Sequence, residues 1–282
     1  MNLSDQLKHH RITLKKKYGQ NFLSDPALLA RIADVCEWEE DDYVLEIGPG
    51  AGALTTALSS RAKEVVAIEI DRSLKPLLEE NLSGLDNVSL IFGDALTSDL
   101  DAIMSETTGF DGRYKLVANL PYYITTPLIM HVLEDMSRVD ELVIMVQKEV
   151  GERLCAKPGG RTYGAVTVMV QYLCEASRAF DVGRRAFTPA PDVDSTILHL
   201  RPYKERPIQA QDDAMLRRTV KAAFSQRRKT LRNSLASIGL PKDTIAHALE
   251  AASIDGTRRA ESLSVAEFVT LSDAFTQLGG QQ

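Results

Sequence analysis

The sequence is poor in cysteine and aromatic residues and has no long hydrophobic run. Its three cysteines, Cys36, Cys155 and Cys174, are far apart and form no C-x-x-C pair, which argues against a zinc site or a disulfide framework. No apolar stretch approaches the roughly 18 residues that a membrane span needs. The polar first twenty residues lack the apolar region of a secretory signal. We therefore expect a cytoplasmic protein with no metal and no membrane partner.

The composition also lacks the biases of fibrous, disordered or coiled-coil chains. Of the 282 residues, 44% are hydrophobic and 26% are charged, and the mean hydropathy is −0.14. A chain of this length suits one large domain together with a small one. The sequence contains no internal repeat and no low-complexity segment, so we expect a globular enzyme or binding protein.

Positive charge is scarce in most of the chain and concentrated towards its C-terminal end. Residues 1–200 hold 20 Lys and Arg against 30 Asp and Glu, whereas residues 201–282 hold 13 against 9, within a net charge of −6. One acid, Asp213, accompanies seven basic residues within 213–235, namely Arg217, Arg218, Lys221, Arg227, Arg228, Lys229 and Arg232. This asymmetry indicates either an anionic partner at one end of the molecule or a solvated helix face.

Short β-branched runs alternate with helical patterns in the first half of the chain. The runs predict strands at Tyr43–Ile47, Glu64–Ile70, Val88–Phe92, Tyr114–Ala118 and Glu141–Val146. The patterns between them predict helices at Ala53–Ser60, Ser73–Leu82 and Thr126–Asp135. An alternation at this rhythm predicts an α/β fold, in which helices cover both faces of a Rossmann-like parallel sheet.

The pattern changes in the second half of the chain. Two β-rich runs, Val166–Leu173 and Ser195–Leu200, follow a predicted helix at Gln147–Ala156 and predict an antiparallel pair at the sheet edge. The segment 201–207 contains two prolines and mixed charge, which is typical of a linker. Beyond it, helices are predicted at Asp212–Phe224, Gln226–Ile238, Lys242–Ala252 and Val265–Gln277.

A glycine-rich turn joins the first predicted strand of the sheet to the following helix. It reads Gly48-Pro49-Gly50-Ala51-Gly52, and such glycines let the backbone approach a ligand closely beside free helix N–H groups. Dinucleotide-binding loops read G-x-G-x-x-G, whereas this loop reads G-x-G-x-G and has Glu46 two residues before it. Because that carboxylate would repel a pyrophosphate, the loop favours a cationic, phosphate-free nucleoside such as S-adenosyl-L-methionine over a nicotinamide dinucleotide.

Acidic residues end the next two strands. Glu69 ends the second strand and is placed to hold both ribose hydroxyls of a nucleoside, and Asp94 follows the third strand, within reach of an adenine amino group. Each acid alone is more often a surface residue. Ligands of open α/β sheets bind at the carboxyl ends of the strands, so the glycine loop and both acids together predict an adenosine-type cofactor.

The fourth predicted strand ends in a segment with a specific chemical use, Asn119-Leu120-Pro121-Tyr122. The exocyclic amine of adenine is a poor nucleophile because its lone pair is delocalised into the ring. The Asn119 side-chain oxygen and the Leu120 main-chain oxygen are placed to accept its hydrogens, while Pro121 fixes the turn and Tyr122 stacks on the base. The alternative interpretation is an ordinary turn between a strand and a helix.

A second aromatic residue is a candidate for the opposite face of the base. Phe187 lies in the rigid loop Ala186-Phe187-Thr188-Pro189-Ala190-Pro191 before the last strand, in a proline-rich setting typical of an exposed loop. As a second stacking wall it would complete a clamp around adenine. As a single phenylalanine it is otherwise expected in the core.

These residues, in this order, resemble the ribosomal RNA adenine dimethyltransferase family, and in particular its bacterial branch. The matching segments are YGQNFLSDP (18–26), LEIGPGAGALT (45–55), AIEID (67–71), GDAL (93–96), VANLPYYITTPLI (117–129), MVQKEVGERL (145–154), FTPAPDVDS (187–195) and AFSQRRKTLRNSL (223–235). The resemblance implies a seven-stranded class I methyltransferase sheet with a small helical C-terminal domain. It also implies dimethylation of two adjacent adenosines near the 3′ end of 16S rRNA in the small ribosomal subunit, late in assembly.

The resemblance further implies a set of functional residues. The implied cofactor contacts are Asn21, Leu23, Gly48, Glu69, Asp94 and Asn119, and the implied contacts to the rRNA backbone are Arg227, Arg228, Lys229 and Arg232 on a basic helix. The QNFL residues, Asn21 and Leu23 among them, show no pattern of their own beyond a polar entry to a helix.

Three regions and a monomer are therefore expected. Residues 1–24 form a mobile basic tail and a segment over the cofactor, residues 25–204 the methyltransferase domain, and residues 205–282 a helical domain that contacts rRNA. Two alternatives stay open: a 23S rRNA adenine methyltransferase of the macrolide-resistance type, and a mainly non-catalytic assembly factor of the small subunit. The acidic pI near 5.5 favours docking on a folded particle over gripping naked RNA.

Overall fold

The structure is a computed structural model that describes residues 3–15, 19–120, 122 and 124–279. The chain forms two compact units, the first of Met1–Gly151 with Ala176–Pro202 and the second of Glu152–Glu175 with Tyr203–Gln282. Within the described residues, no helix has the length and apolar character to cross a membrane.

The first unit is built on a seven-stranded sheet. The described part of the chain has nine strands, seven of them in this sheet: β1 (Phe22–Leu23), β2 (Tyr43–Ile47), β3 (Glu64–Glu69), β4 (Val88–Phe92), β5 (Tyr114–Asn119), β6 (Val139–Gln147), β7 (Cys174–Val182), β8 (Phe187–Thr188) and β9 (Ser195–Pro202). The sheet order is β4-β3-β2-β5-β6-β9-β7, and β1 pairs separately with β8. The strands from β2 to β6 pair in parallel, and β9 runs antiparallel to β6.

Twelve helices accompany the strands in the described part of the chain. They are α1 (Leu3–His9), α2 (Pro26–Ala33), α3 (Ala53–Ser59), α4 (Lys75–Asn81), α5 (Leu100–Thr108), α6 (Thr125–Asp135), α7 (Lys148–Leu154), α8 (Ala165–Leu173), α9 (Asp213–Ala223), α10 (Leu231–Leu235), α11 (Lys242–Ala251) and α12 (Val265–Gly279). The five predicted parallel strands and the three helices predicted between them are confirmed within two residues at each end, apart from a 3-10 turn that opens the helix predicted at Ser73–Leu82. The strands are mostly apolar, as expected for a parallel sheet whose two faces are covered.

The edge of the sheet differs from the prediction. Val166–Leu173 was predicted as a strand, but it lies in α8, and the edge strand is the next segment, β7. The Thr167 hydroxyl accepts a hydrogen bond from the Gly164 N–H at the start of the helix and donates one to the Arg153 carbonyl. β-Branched residues do not exclude a helix that is packed on several sides, and α8 packs against α9 and α12.

This packing also changes the domain boundary. The second unit contains Glu152–Glu175, which the sequence patterns had placed in the methyltransferase domain. A boundary read from a linker assumes that each unit is continuous in sequence. Here the helices of the second unit bury an apolar helix that precedes the last two long strands of the sheet.

The N-terminal residues were predicted to be a mobile tail, but they begin with α1. Leu3 and Leu7 of this helix pack on a cluster that contains Leu74, Leu77 and Leu78. The helix is polar in composition, so its order depends on this contact with a distant part of the chain. A second element that the sequence patterns did not reveal is α5, which begins after the capping residue Asp99.

Candidate active site

One pocket opens at the carboxyl ends of β2, β3, β4 and β5. All of the described residues that were predicted to bind cofactor or adenine line it, namely Asn21, Leu23, Gly48, Glu69, Asp94, Asn119, Leu120, Tyr122 and Phe187. Pro121 lies outside the described residues. The convergence follows from topology, because neighbouring parallel strands end at the same edge of a sheet.

The glycine loop after β2 adopts backbone angles that are unfavourable for residues with a side chain. Gly48 and Gly50 have φ angles of +73° and +60°, in the left-handed region that favours glycine. A Cβ on Gly50 would lie 3.0 Å from the ring of Phe22. The Gly50 N–H donates to a carboxylate oxygen of Glu69 over 3.3 Å, so this acid holds the loop as well as facing the pocket.

The described lining of the pocket contains acidic residues and no basic ones. The acidic side chains are those of Glu46, Glu69 and Asp94, and none of the described lining residues is Lys, Arg or His. Burial raises the pKa of Glu69, and it raises the pKa of Glu46 to about 8. Glu46 is 1% exposed, and its Oε2 has no hydrogen-bond partner among the described residues. This lining opposes a pyrophosphate and fits the sulfonium and ammonium groups of S-adenosylmethionine.

The buried Glu46 predicts an unusual dependence of stability on pH. In the folded protein Glu46 keeps its proton up to about pH 8, whereas the unfolded chain releases it above 4.5. The contribution of this group to the free energy of unfolding is therefore complete below pH 4.5 and decreases by up to about 1.4 kcal/mol per pH unit as the pH rises towards 8.

Urea unfolding of the wild type and of Glu46→Gln, in steps from pH 5 to pH 9, measures this contribution. The difference between the two curves reports the titration of Glu46, including its coupling to Glu69. We expect the wild type to lose stability relative to Glu46→Gln as the pH rises. A pH-independent difference would mean that Glu46 is ionised in the folded protein.

Asn119 is held at the end of β5. Its Nδ2 donates to the backbone carbonyl of Asn21 over 3.3 Å, which leaves the side-chain oxygen Oδ1 as the acceptor of the same amide. Leu120 is buried, and its N–H donates to the Met145 carbonyl over 3.4 Å. The sheet therefore fixes the backbone on one side of this segment, and the chain around Asn21 fixes the Asn119 side chain.

The two aromatic candidates lie in the same pocket but in different surroundings. The Tyr122 hydroxyl and the Ser195 hydroxyl are 2.9 Å apart and share a hydrogen bond, and burial raises the pKa of Tyr122. Phe187 was expected in an exposed loop, but it is 5% exposed and packs in a hydrophobic cluster. It is buried because β8 pairs with β1, where Phe187 lies opposite Leu23.

The four predicted RNA-binding residues lie in the second unit and are all exposed. Arg232 is on α10, but Arg227, Arg228 and Lys229 lie in the turn before it, so the prediction of a helix over Gln226–Ile238 was wrong at its start. The Lys229 N–H donates to the Gln226 carbonyl, which closes this turn. None of the four forms an ion pair with any acid that the structure describes.

The comparison with known proteins agrees with the geometry. The sequence model of the family described as ribosomal RNA adenine dimethylase matches residues 11–277. The chain belongs to this family. The protein named ribosomal RNA small subunit methyltransferase A from Moorella thermoacetica is 49% identical over 262 residues, 92% of this chain and 91% of that protein. Its namesake from Ligilactobacillus salivarius is 44% identical, over 97% of this chain and 94% of that protein.

Two solved structures extend the likeness to the fold. A dimethyladenosine transferase from Plasmodium falciparum has a TM-score of 0.78 and 26% identity, over 92% of this chain and 98% of that one. The 23S rRNA methyltransferase ErmE has a TM-score of 0.70 and 30% identity, over 91% and 100%. The predicted class I methyltransferase fold is confirmed, as is S-adenosylmethionine as the cofactor that a class I enzyme of the rRNA adenine dimethylase family uses.

Two further residues of the QNFL motif line the pocket in addition to the predicted ones. Gln20 and Phe22 line the pocket together with Asn21 and Leu23, a position that no residue pattern predicts for them. Hydrophobic periodicity does not reveal residues 20–23, because they lie in a two-residue strand and the loop before that strand, which are too short to show a period. The QNFL motif as a whole was the available signal.

Proposed function

We propose that this chain transfers methyl groups from S-adenosylmethionine to the exocyclic amines of two adjacent adenosines near the 3′ end of 16S rRNA, in small subunits that are late in assembly. The observation that carries the proposal is the position of Asn119, whose amide is held by Asn21 in the pocket that also contains Glu69 and Asp94. The choice of the small subunit rests on the printed names of the full-length relatives at 44–49% identity.

The proposed chemistry depends on positioning. Bound S-adenosylmethionine supplies an electrophilic methyl carbon. Asn119 Oδ1 and the Leu120 carbonyl accept the two amine hydrogens of adenine, which draws the nitrogen lone pair out of conjugation and orients it. Tyr122 supports one face of the base, with its hydroxyl held by Ser195, and Phe187 forms part of the opposite wall. A rigid aromatic wall of this kind contributes about 1–3 kcal/mol per stacked base.

No proton relay is needed in this scheme. A methylated adenine amine that carries a positive charge is strongly acidic and releases its proton to water. No described residue lining the pocket is a histidine. The pocket must readmit a monomethylated amine for the second transfer, and Oδ1 of Asn119 remains available to accept its single hydrogen.

The exposed basic residues of the second unit support a partner with phosphate groups. Arg227, Arg228, Lys229 and Arg232 provide the proposed contacts to the rRNA backbone. We further propose that the protein acts as a monomer in the cytoplasm, where bacterial small subunits are assembled. The 23S rRNA alternative is not favoured, because ErmE is 30% identical and the small-subunit relatives are 44–49% identical.

The test uses labelled S-adenosylmethionine with three substrates: unmethylated small subunits, large-subunit RNA and free 16S rRNA. The RNA is digested to nucleosides and separated by chromatography. We expect dimethyladenosine from small subunits and little or none from free 16S rRNA. Label in large-subunit RNA would instead favour the resistance-type enzyme. Tight binding of small subunits without any label would favour the assembly factor.

A further inference from the structure

A buried carboxylate beside the pocket binds two side chains from the N-terminal segment. Asp71 follows β3 and is 2% exposed. Its Oδ1 accepts from the Lys15 ammonium over 2.6 Å and from the Ser73 hydroxyl over 2.7 Å, and its Oδ2 accepts from the Gln20 amide over 2.9 Å. These hydrogen bonds outweigh the effect of burial and hold the pKa of Asp71 at about 2, so the carboxylate is ionised whenever the protein is folded at neutral pH.

Lys15 and Gln20 are also joined directly to each other. The Lys15 backbone N–H donates to the Gln20 side-chain oxygen over 2.9 Å, so the Gln20 amide bridges the backbone of Lys15 and the carboxylate of Asp71. The two hydrogen bonds that Lys15 and Gln20 donate to the Asp71 carboxylate are charge-assisted and therefore stronger than neutral ones. The chain on both sides of 16–18 is therefore tied to one point next to the sheet.

The segment that follows forms one wall of the pocket. All of the residues from Gly19 to Leu23 line it. At the far end, the Asn21 carbonyl accepts from Asn119, and Leu23 pairs with Phe187 across β1 and β8. The wall thus runs from Asp71, beside the cofactor acid Glu69, to the residues that face the base.

We propose that Lys15, Gln20 and Asp71 form a latch that holds the wall Gly19–Leu23 against the cofactor, and that Asp71 and Lys15 are positioning residues for S-adenosylmethionine. The proposal rests on the proposed function, because it assigns the pocket to this cofactor. Lys15 does not line the pocket, so its influence on binding passes through the wall.

The charge of the cofactor distinguishes the latch from a direct electrostatic effect of Lys15. S-adenosylmethionine carries a net positive charge, whereas S-adenosylhomocysteine is neutral overall. If Lys15 acted only through its charge, its removal would tighten binding of the cationic cofactor and leave the neutral product unaffected. If Lys15 holds the wall, its removal weakens both.

The experiment compares Lys15→Met with Arg113→Met by calorimetry against both nucleosides. Arg113 is a matched control because its side chain is 41% exposed, against 40% for Lys15, and it pairs with an acid, Asp140, outside the pocket. We expect Lys15→Met to weaken both nucleosides about tenfold, Lys15→Arg to restore most of the loss, and Arg113→Met to match the wild type. In turnover assays, we expect Lys15→Met to raise KM for the cofactor with kcat within about twofold.

Hydrogen exchange provides a readout that does not depend on activity. In the apo protein, Lys15→Met is expected to increase exchange at 19–23 and leave the rest of the sheet unchanged. Unchanged affinities, or tighter binding of S-adenosylmethionine alone, would overturn the latch. Failure of the wild type to bind either nucleoside would contradict the proposed function, whereas binding that is insensitive to Lys15→Met contradicts the latch only.

Discussion

Replacement of Asn119 by alanine is expected to lower the rate of methyl transfer by about 10²–10³-fold, the usual cost of removing one preorganised polar group from a reacting centre. The side-chain oxygen that accepts an amine hydrogen is removed, and so is the hydrogen bond to Asn21. Binding of small subunits is expected to stay unchanged, because the proposed rRNA contacts lie in the second unit. Single-turnover methylation and sedimentation with small subunits measure the two effects separately.

Two further variants make this result specific. Asn119→Asp keeps an acceptor oxygen but lacks the Nδ2 donor to Asn21, so it separates the role in accepting a hydrogen from the role in fixing the side chain. Asn87→Ala is the matched control, because the Asn87 amide donates to the Ser59 and Ala62 carbonyls outside the pocket. Wild-type turnover in Asn119→Ala would exclude the proposed mechanism, and equal losses in Asn87→Ala would indicate a general effect on folding.

Substitution of the four exposed basic residues by alanine is expected to weaken binding of small subunits by about 10²–10³-fold at moderate salt. The residues are Arg227, Arg228, Lys229 and Arg232. For each phosphate that is no longer neutralised, the slope of log K against log salt also decreases in magnitude by about 0.7–0.9. Affinity for S-adenosylhomocysteine is expected to stay at the wild-type value, because the cofactor pocket lies in the first unit.

The control for this experiment removes charge from the same unit at other positions. Lys204 and Lys242 are exposed there, and we expect the variant with both changed to alanine to lose much less affinity per charge removed. If the loss followed only the number of charges, wherever they lie, the interaction would be a diffuse electrostatic one. Undiminished binding and an unchanged salt slope in the fourfold variant would place the rRNA interface elsewhere on the molecule.

The strands and the glycine loop could be predicted because their signals are local. A parallel strand covered on both faces is a mostly apolar run, and Tyr43–Ile47 and Val88–Phe92 were predicted at the bounds that the structure shows. The positive φ angles of Gly48 and Gly50 are likewise a local requirement that glycine meets. The roles of the residues that line the pocket remain predictions.

The predictions of secondary structure that were wrong concern segments whose local pattern fits more than one structure. The run Val166–Leu173 has the composition of a strand, and packing in the second unit decides that it is α8. The basic segment begins with residues that a helix tolerates, but Thr230, extended and at the N-cap of α10, starts a new helix after the turn. In both places the competing conformations differ little in local free energy, so distant contacts select one.

The order of residues along the chain determined the parallel sheet, the edge at which ligands bind and the chemistry of the groups that meet there, because all of these follow from short-range periodicity and from the topology of alternating strands and helices. Only the tertiary structure decided that Glu46 is a buried acid, that Phe187 is covered, and that Lys15 and Gln20 reach Asp71 across 51 to 56 residues of sequence. Burial and long-range hydrogen bonds are properties of the packed chain, and no window of the sequence contains both partners.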